Sequence, residues 1–204
     1  MAERRLLAPE VVQTSAMDCG PAALKCLLEG FGIPVSYGRL REACQTGVDG
    51  TSIDNVELVA NQLGLRADQS LLPEDHLGAQ SASALPAVVV VRHNDGATHF
   101  VVVWRRFGRW LQIMDPAIGR RWVSIRRFRE DVYRHEESVA ATGWREWAGG
   151  EEFTSPLDER MRGLGIRADA VTELMAEALD DAHWFPLATL DAAVRLVQSL
   201  VEAD

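Results

Sequence analysis

Apolar residues recur at helical spacing in the first third of the chain. Behind the polar residues 13–18, the apolar positions lie on one helical face, and Gly32 ends the pattern. Cys19 is therefore predicted to open a helix, with Asp18 as N-cap and Pro21 in the first turn. The apolar positions of this helix are Ala22, Ala23, Leu24, Leu27, Leu28 and Phe31.

Two further helices are predicted in the next thirty residues or so. Ser36 can cap a short helix that extends to Cys44, and the turn at residues 49–52 leads into a longer helix that ends at Gly64. Cys26 and Cys44 lie on the apolar faces of these helices, so we expect both to be packing residues.

Runs of β-branched residues replace the helical pattern in the middle of the chain. Residues 85–91 are typical of a buried strand, and residues 99–104 and 110–115 are predicted to pair as a hairpin. A last strand is expected around Trp122. Helices followed by antiparallel strands indicate an α+β fold, with N-terminal helices packed on an antiparallel sheet and the active site between the two halves.

The end of the chain is predicted to be a helical extension. Asp169 can cap one helix and Pro186 can start another, and the short connection between them favours an antiparallel pair. Residues 151–204 contain 4 basic and 12 acidic residues, so they carry most of the formal charge of −9. We therefore predict two domains, residues 1–148 and an acidic helical extension at 149–204, which could also lead into a transporter.

Composition narrows the class of protein. The balanced charge before residue 151 argues against a nucleic-acid partner. Three cysteines without Cys-x-x-Cys spacing argue against a disulfide framework or a zinc site and for a reducing compartment, and no metal or cofactor is expected. The first residues lack the apolar core of a signal peptide, and no stretch is long and apolar enough to predict a membrane span.

Cys19 is the strongest candidate for chemistry. A thiol at the start of a helix lies at the positive end of the helix dipole, which favours the nucleophilic thiolate. Gln13, six residues upstream, could supply a side-chain amide that forms an oxyanion hole with the N–H of Cys19. The alternative for Cys19 is a small buried hydrophobe, and a catalytic base is needed to decide between the two.

His99 is the candidate base. If the hairpin turn is centred on Phe107, His99 faces Asp115 and Trp104 faces Trp110. An imidazole and a carboxylate would then meet at the edge of an apolar sheet, where the carboxylate can orient the histidine. His76, His93, His135 and His183 lie in polar or mixed surroundings and are expected to be surface residues without a role.

These motifs together resemble the C39 family of papain-like cysteine peptidases, the leader-cutting domains of bacteriocin and peptide ABC exporters. The resemblance covers roughly residues 8–140 and lies in Gln13, Asp18-Cys19-Gly20, the strand that starts at Thr98-His99, and Asp115-Pro116-Ala117. It implies a papain-like fold in which Cys19 is the nucleophile, His99 the general base and acid, Asp115 the orienting residue and Gln13 the oxyanion donor. Thr98 stands where the family commonly has asparagine.

The resemblance implies a cytoplasmic peptidase, or one at the cytoplasmic face of the membrane if it is part of an exporter. Such a peptidase cuts a peptide precursor after a Gly-Gly or Gly-Ala motif through a thioester. Its expected partners are the precursor with its double-glycine leader and the membrane and ATPase portions of a transporter. A leader-binding module that does not cut, and a papain-like transferase or amidase, remain alternatives. The substrate-binding residues, the precursor and the oligomeric state are not predicted.

Overall fold

A computed structural model gives the fold and describes residues 4–81, 84–92, 96–136 and 138–203. The chain divides into two compact units, one comprising Met1–Gly78 and Ala84–His135, the other Ala79–Ser83 and Glu136–Asp204. Each unit has its own apolar core. The predicted domains 1–148 and 149–204 stay a prediction, because independent folding is what defines a domain.

Three helices of the first unit lie close to their predicted positions: α1 (Cys19–Gly30), α2 (Tyr37–Ala43) and α3 (Ile53–Gln62). A further helix, α4 (Ile125–Asp131), was not predicted. The hydroxyl of Ser52 accepts a hydrogen bond from the N–H of Asn55, which satisfies one of the free amides in the first turn of α3.

Four antiparallel strands form one sheet in the order β1-β2-β3-β4. The strands are β1 (Ala87–Arg92), β2 (Thr98–Phe107), β3 (Trp110–Asp115) and β4 (Gly119–Ser124). Helices packed on a four-stranded antiparallel sheet, followed by a helical part, confirm the predicted α+β, papain-like fold class.

The register of the β2–β3 hairpin differs from the prediction. Phe107 pairs with Trp110, so the strands are joined by the two-residue turn Gly108-Arg109 and not by a longer turn centred on Phe107. Gly108 has a φ of +57°, which glycine tolerates and which tight hairpin turns require. The predicted facing of Trp104 with Trp110 is therefore wrong.

A β-bulge at Trp104 shifts the register again. Val103 pairs with Ile113 but Arg105 pairs with Gln112, so Trp104 is an extra residue in β2. Continued to the end of β3, this register sets Asp115 opposite residue 101. The prediction that His99 and Asp115 are directly opposed is wrong, because His99 pairs across the sheet with Val91 of β1.

The two faces of the sheet pack on different elements. One face presents Val102, Trp104 and Met114 to α1, in a cluster with Ala22, Ala23 and Cys26. The opposite face presents Val101, Val103, Leu111 and Ile113 to a cluster that includes Phe128 of α4. The sheet is thus covered on one side by the helix that begins at Cys19 and on the other by α4.

The second unit consists mainly of α5 (Ala141–Ala148), α6 (Glu151–Gly163), α7 (Ala168–Asp180) and α8 (Trp184–Ala203). The predicted starts of the last two helices are slightly late, because α7 begins one residue before Asp169 and α8 begins two residues before Pro186. The helices α5 and α6 were not predicted. Their apolar residues form a core with those of α7 and α8: Ala148, Phe153, Leu157, Met161, Val171, Ala178, Leu187 and Val194.

Within the described part of the chain, no helix combines the length and the apolar character needed to cross a membrane.

One histidine differs from the sequence-based expectation. His76, in a short 3₁₀ turn at His76–Gly78, is completely buried and is not a surface residue. His135 and His183 are exposed, as expected, and His93 lies outside the described residues. Cys26 and Cys44 are both completely buried in apolar clusters, which agrees with a packing role.

Gly30 offers a test of how closely α1 approaches the sheet. A Cβ on residue 30 would lie 2.2 Å from the buried indole of Trp104, whose Nε1 donates a hydrogen bond to the carbonyl of Arg5. We expect Gly30→Ala to lower the free energy of unfolding by about 1–3 kcal/mol or more through overpacking, measured by urea denaturation.

Gly38 of α2 is the matched control. A Cβ there meets no atom within 4 Å, so Gly38→Ala is expected to leave stability unchanged or to raise it slightly. Equal stability of the Gly30→Ala and Gly38→Ala variants would contradict the close packing of α1 on Trp104.

Candidate active site

Cys19 is the first residue of α1 and lies at the surface end of the helix, where its side chain is partly exposed. Gly20 follows it because the loop before α3 approaches closely. A Cβ on residue 20 would lie 2.9 Å from the Cβ of Thr51. The thiol of Cys19 therefore lies at the N-terminal end of α1, and the loop that contains Thr51 packs against this end of the helix.

The thiol of Cys19 is hydrogen-bonded to the imidazole of His99 at the start of β2. Burial alone would raise the pKa of Cys19. The hydrogen bonds from His99 and from the N–H groups of Phe100 and Gly20, with the charge of His99, more than offset this effect. The net result is a pKa of Cys19 below its usual value, which favours the thiolate.

Asp115 lies on the other side of His99. Its Oδ1 is 3.0 Å from Nε2 of His99 and also accepts the N–H of Ala117 at 2.9 Å, while Oδ2 accepts from Arg121 at 3.1 Å. Burial would raise the pKa of Asp115, but the His99 hydrogen bond and these other donors hold it below the usual value. The carboxylate is thus fixed and ionised.

His99 sits between these two groups, and its side chain is nearly buried. Burial opposes the imidazolium, yet the hydrogen bonds to Asp115 and Cys19, with the charges of both, raise the pKa of His99 to about 9. Because Nε2 is engaged by Asp115, Nδ1 is the nitrogen left for the thiol. The site therefore favours a thiolate–imidazolium pair at neutral pH.

Arg121 is a site residue that the sequence analysis missed. It lies on β4, where Gly119 pairs with Asp115 and Arg121 pairs with Ile113. Arg121 is thus two residues beyond the partner of Asp115 on the neighbouring strand, and its side chain lies on the same face of the sheet as the Asp115 carboxylate. The signal that could have revealed it is the tight turn of residues 115–119, which fixes this register.

Gln13 approaches the site from the N-terminal segment. Its backbone N–H donates to the carbonyl of Pro116 at 2.8 Å, which ties it to the residue after Asp115. Its side-chain Oε1 is buried and has no hydrogen-bond partner among the described residues. The structure thus holds Gln13 beside the strand end that carries Asp115, while a contact of its amide with the Cys19 site stays a prediction.

The arrangement suits nucleophilic chemistry. A thiolate, an imidazolium and an orienting carboxylate form one hydrogen-bonded series at the end of a sheet. In the part of the chain that the structure describes, no group of three or more His, Cys, Asp or Glu side chains is placed to hold a metal ion.

Thiol alkylation tests these pKa directions. We expect iodoacetamide at neutral pH to modify Cys19 rapidly, because its lowered pKa leaves it as thiolate, and the reaction to slow as the pH falls through that pKa. Burial raises the pKa of Cys44 to about 11 and, with the charge of Glu29, that of Cys26 to about 12. Peptide mass mapping of the folded protein should therefore show both unmodified, and modification of Cys44 before Cys19 would contradict the assignment.

Comparison with known proteins gives a consistent family. Residues 8–133 match the model of the Peptidase C39 family. The chain is 28% identical over 121 residues to the lactococcin-G-processing and transport ATP-binding protein LagD of Lactococcus lactis subsp. lactis, which covers 59% of this chain and 17% of that protein. It is 33% identical to the pediocin PA-1 transport/processing ATP-binding protein PedD of Pediococcus acidilactici, over 86% of this chain and 25% of that protein.

A solved structure agrees with these matches. The crystal structure of a double glycine motif protease from an AMS/PCAT transporter, in complex with the leader peptide, is 26% identical, with a TM-score of 0.54, and covers 64% of this chain and 89% of that chain. The chain spans about a fifth of the length of the two transport proteins. From the family match over most of the first unit, this chain belongs to the peptidase C39 family.

Proposed function

We propose that this chain is a cysteine endopeptidase that removes the leader from a peptide precursor by cutting after a Gly-Gly or Gly-Ala motif. The observation that carries the proposal is the hydrogen-bonded series of Cys19, His99 and Asp115. A thiol whose pKa is lowered in spite of burial, mainly by its bond to a histidine, has little use in packing but is what acyl transfer requires.

In the first half of the reaction, the Cys19 thiolate attacks the carbonyl carbon of the scissile peptide bond. The carbonyl π electrons move to oxygen, and the tetrahedral oxyanion then collapses as the C–N bond breaks. His99 gives its proton to the departing amine, which leaves a thioester on Cys19 and a neutral imidazole.

In the second half, neutral His99 takes a proton from a water molecule that attacks the thioester carbonyl. The C–S bond breaks, the leader leaves as a carboxylic acid that loses its proton to solvent, and the thiolate–imidazolium pair is restored. Asp115 keeps the imidazole oriented through both steps and stabilises its charged form.

Gln13 and the N–H of Cys19 are proposed to bind the oxyanion. Support comes from the position of Cys19 as the first residue of α1, whose N–H has no intrahelical acceptor, and from the tether between Gln13 and Pro116. Two donors held before the reaction stabilise the oxyanion without reorganisation during it.

The double-glycine preference is proposed on two grounds. The protease of the similar crystal structure is named for this motif and was solved with a leader peptide. In this chain the loop before α3 packs closely on Gly20, the residue after Cys19, and a crowded helix end of this kind favours residues without bulk before the scissile bond. The relatives named for transport make an exporter the proposed partner, with the peptidase at the cytoplasmic face of the membrane.

Cleavage of a double-glycine precursor is the direct test. We expect the wild-type chain to release the leader after the second glycine, seen by intact-mass analysis, and Cys19→Ala to abolish cleavage without changing the circular dichroism spectrum. A precursor with Gly→Val at the residue before the bond should stay intact, because a branched side chain would have to displace packed neighbours.

Cys26→Ala is the matched control, since it removes a buried thiol from the same helix and should lower stability more than rate. Binding of the precursor without any change in its mass would instead support a leader-binding module. Equal cleavage of the Gly and Val precursors would contradict the specificity and leave the cysteine chemistry intact.

Gln13→Ala tests the oxyanion donor. We expect kcat to fall by on the order of 10² to 10³ with KM little changed, because the donor acts on the transition state. Val12→Ala, a neighbouring exposed residue, serves as the control and should keep the wild-type kcat. An unchanged kcat in Gln13→Ala would remove this residue from the site.

A further inference from the structure

Asp18 occupies the N-cap position of α1, but its carboxylate does not cap the helix. An N-cap aspartate usually accepts the N–H of the second or third helical residue. The third residue here is Pro21, which has no N–H, so the second, Gly20, is the only such donor. No capping hydrogen bond from the Asp18 side chain is present among the described residues, whereas Ser52 does cap α3.

The Asp18 carboxylate is instead held by two groups outside α1. Its Oδ1 accepts from Nε of Arg41 at 2.9 Å and its Oδ2 from the hydroxyl of Thr14 at 2.9 Å, with the carboxylate almost completely buried. Tyr37, one turn before Arg41 on α2, accepts the N–H of Thr14 at 3.4 Å. One side of α2 therefore contacts the segment before Cys19 at both Thr14 and Asp18.

This arrangement leaves the first turn of α1 available to the thiol. The N–H of Gly20, which a capping carboxylate would take, contacts the sulfur of Cys19. The carboxylate next to Cys19 also carries a charge of the same sign as the thiolate, and Arg41 compensates it. The ionisable groups that face Asp18 are Arg41 and Tyr37.

We propose that Asp18 and Arg41 are positioning residues for Cys19. Their ion pair keeps the carboxylate away from the helix amides and compensates its charge, so that the amide of Gly20 and the thiolate can face each other. The expected effect on catalysis rests on the proposed peptidase function, whereas the effect on the thiol itself does not.

The test is the pH midpoint of Cys19 alkylation by iodoacetamide, measured by peptide mass mapping on the full chain. In Arg41→Met, we expect the midpoint to rise by roughly one pH unit, because the carboxylate is uncompensated and free to take the Gly20 amide. Asp18→Asn should not raise it, and Asp18→Asn with Arg41→Met should return it towards the wild-type value. Arg39→Met, an exposed arginine on the same helix, is the control and should leave the midpoint unchanged.

If the ion pair were merely structural, its loss would lower the stability of both single variants, and the alkylation midpoint would not depend on the charge of Asp18. An unchanged midpoint in Arg41→Met, or the same rise in the double variant, would overturn the proposal. Should Arg41→Met not fold, Asp18→Asn decides alone, since a raised midpoint in that variant contradicts the proposed role.

Kinetics with a double-glycine precursor separate this proposal from the proposed function. Arg41→Met should lower kcat with KM little changed, and the second substitution Asp18→Asn should restore part of the loss. If the wild-type chain cleaves no precursor, the peptidase proposal fails, while the alkylation midpoints still support or overturn the role of the ion pair.

Discussion

The thiolate–imidazolium pair of Cys19 and His99 is the interaction on which the rest of the site depends. Burial disfavours the charged forms of Cys19, His99 and Asp115 alike, and each is stabilised mainly by its neighbours in the series. None of the three would keep its shifted pKa alone. The fold must therefore bring a helix N-terminus, the start of one strand and the end of another to hydrogen-bond distance, and most of the first unit serves that requirement.

Packing of α1 on the sheet meets the first part of this requirement. Gly30 lies close to the indole of Trp104, which fixes the C-terminal end of α1 on the sheet. The bulge at Trp104 places two successive residues, Trp104 and Arg105, on the α1 side of the sheet. Regular pairing resumes between the bulge and the site, so His99 stays on the face of Val101 and Val103. Without the bulge, the register of the hairpin would set Asp115 opposite Val102, on the α1 side of the sheet. The bulge therefore brings Asp115 to the face that carries His99.

The sequence was sufficient for the elements and insufficient for their register. Helix α1 and the strands followed from periodicity, but the turn at Gly108-Arg109 and the bulge changed which residues face each other. His99 and Asp115 still meet, because diagonal neighbours on one face of a sheet lie within reach of their side chains. A contact between two elements, such as that of Arg41 with Asp18, leaves no periodic signal in the sequence. The same holds for a helix that contains a proline, such as α6 with Pro156.

The segment before α1, residues 4–18, makes hydrogen bonds to residues that are synthesised much later. Its backbone bonds the side chains of Trp104, Gln112 and Arg120, at sequence separations of 99, 104 and 112 residues. During synthesis, Cys19 therefore leaves the ribosome long before the strands that carry His99 and Asp115. Until β2 and β3 have been made and have docked, Gln13 lacks its backbone bond to Pro116 and the thiol of Cys19 lacks its bond to His99. Cys19 then has the properties of an ordinary cysteine. Because these long-range contacts close late, Cys19 acquires its lowered pKa only after the sheet has folded.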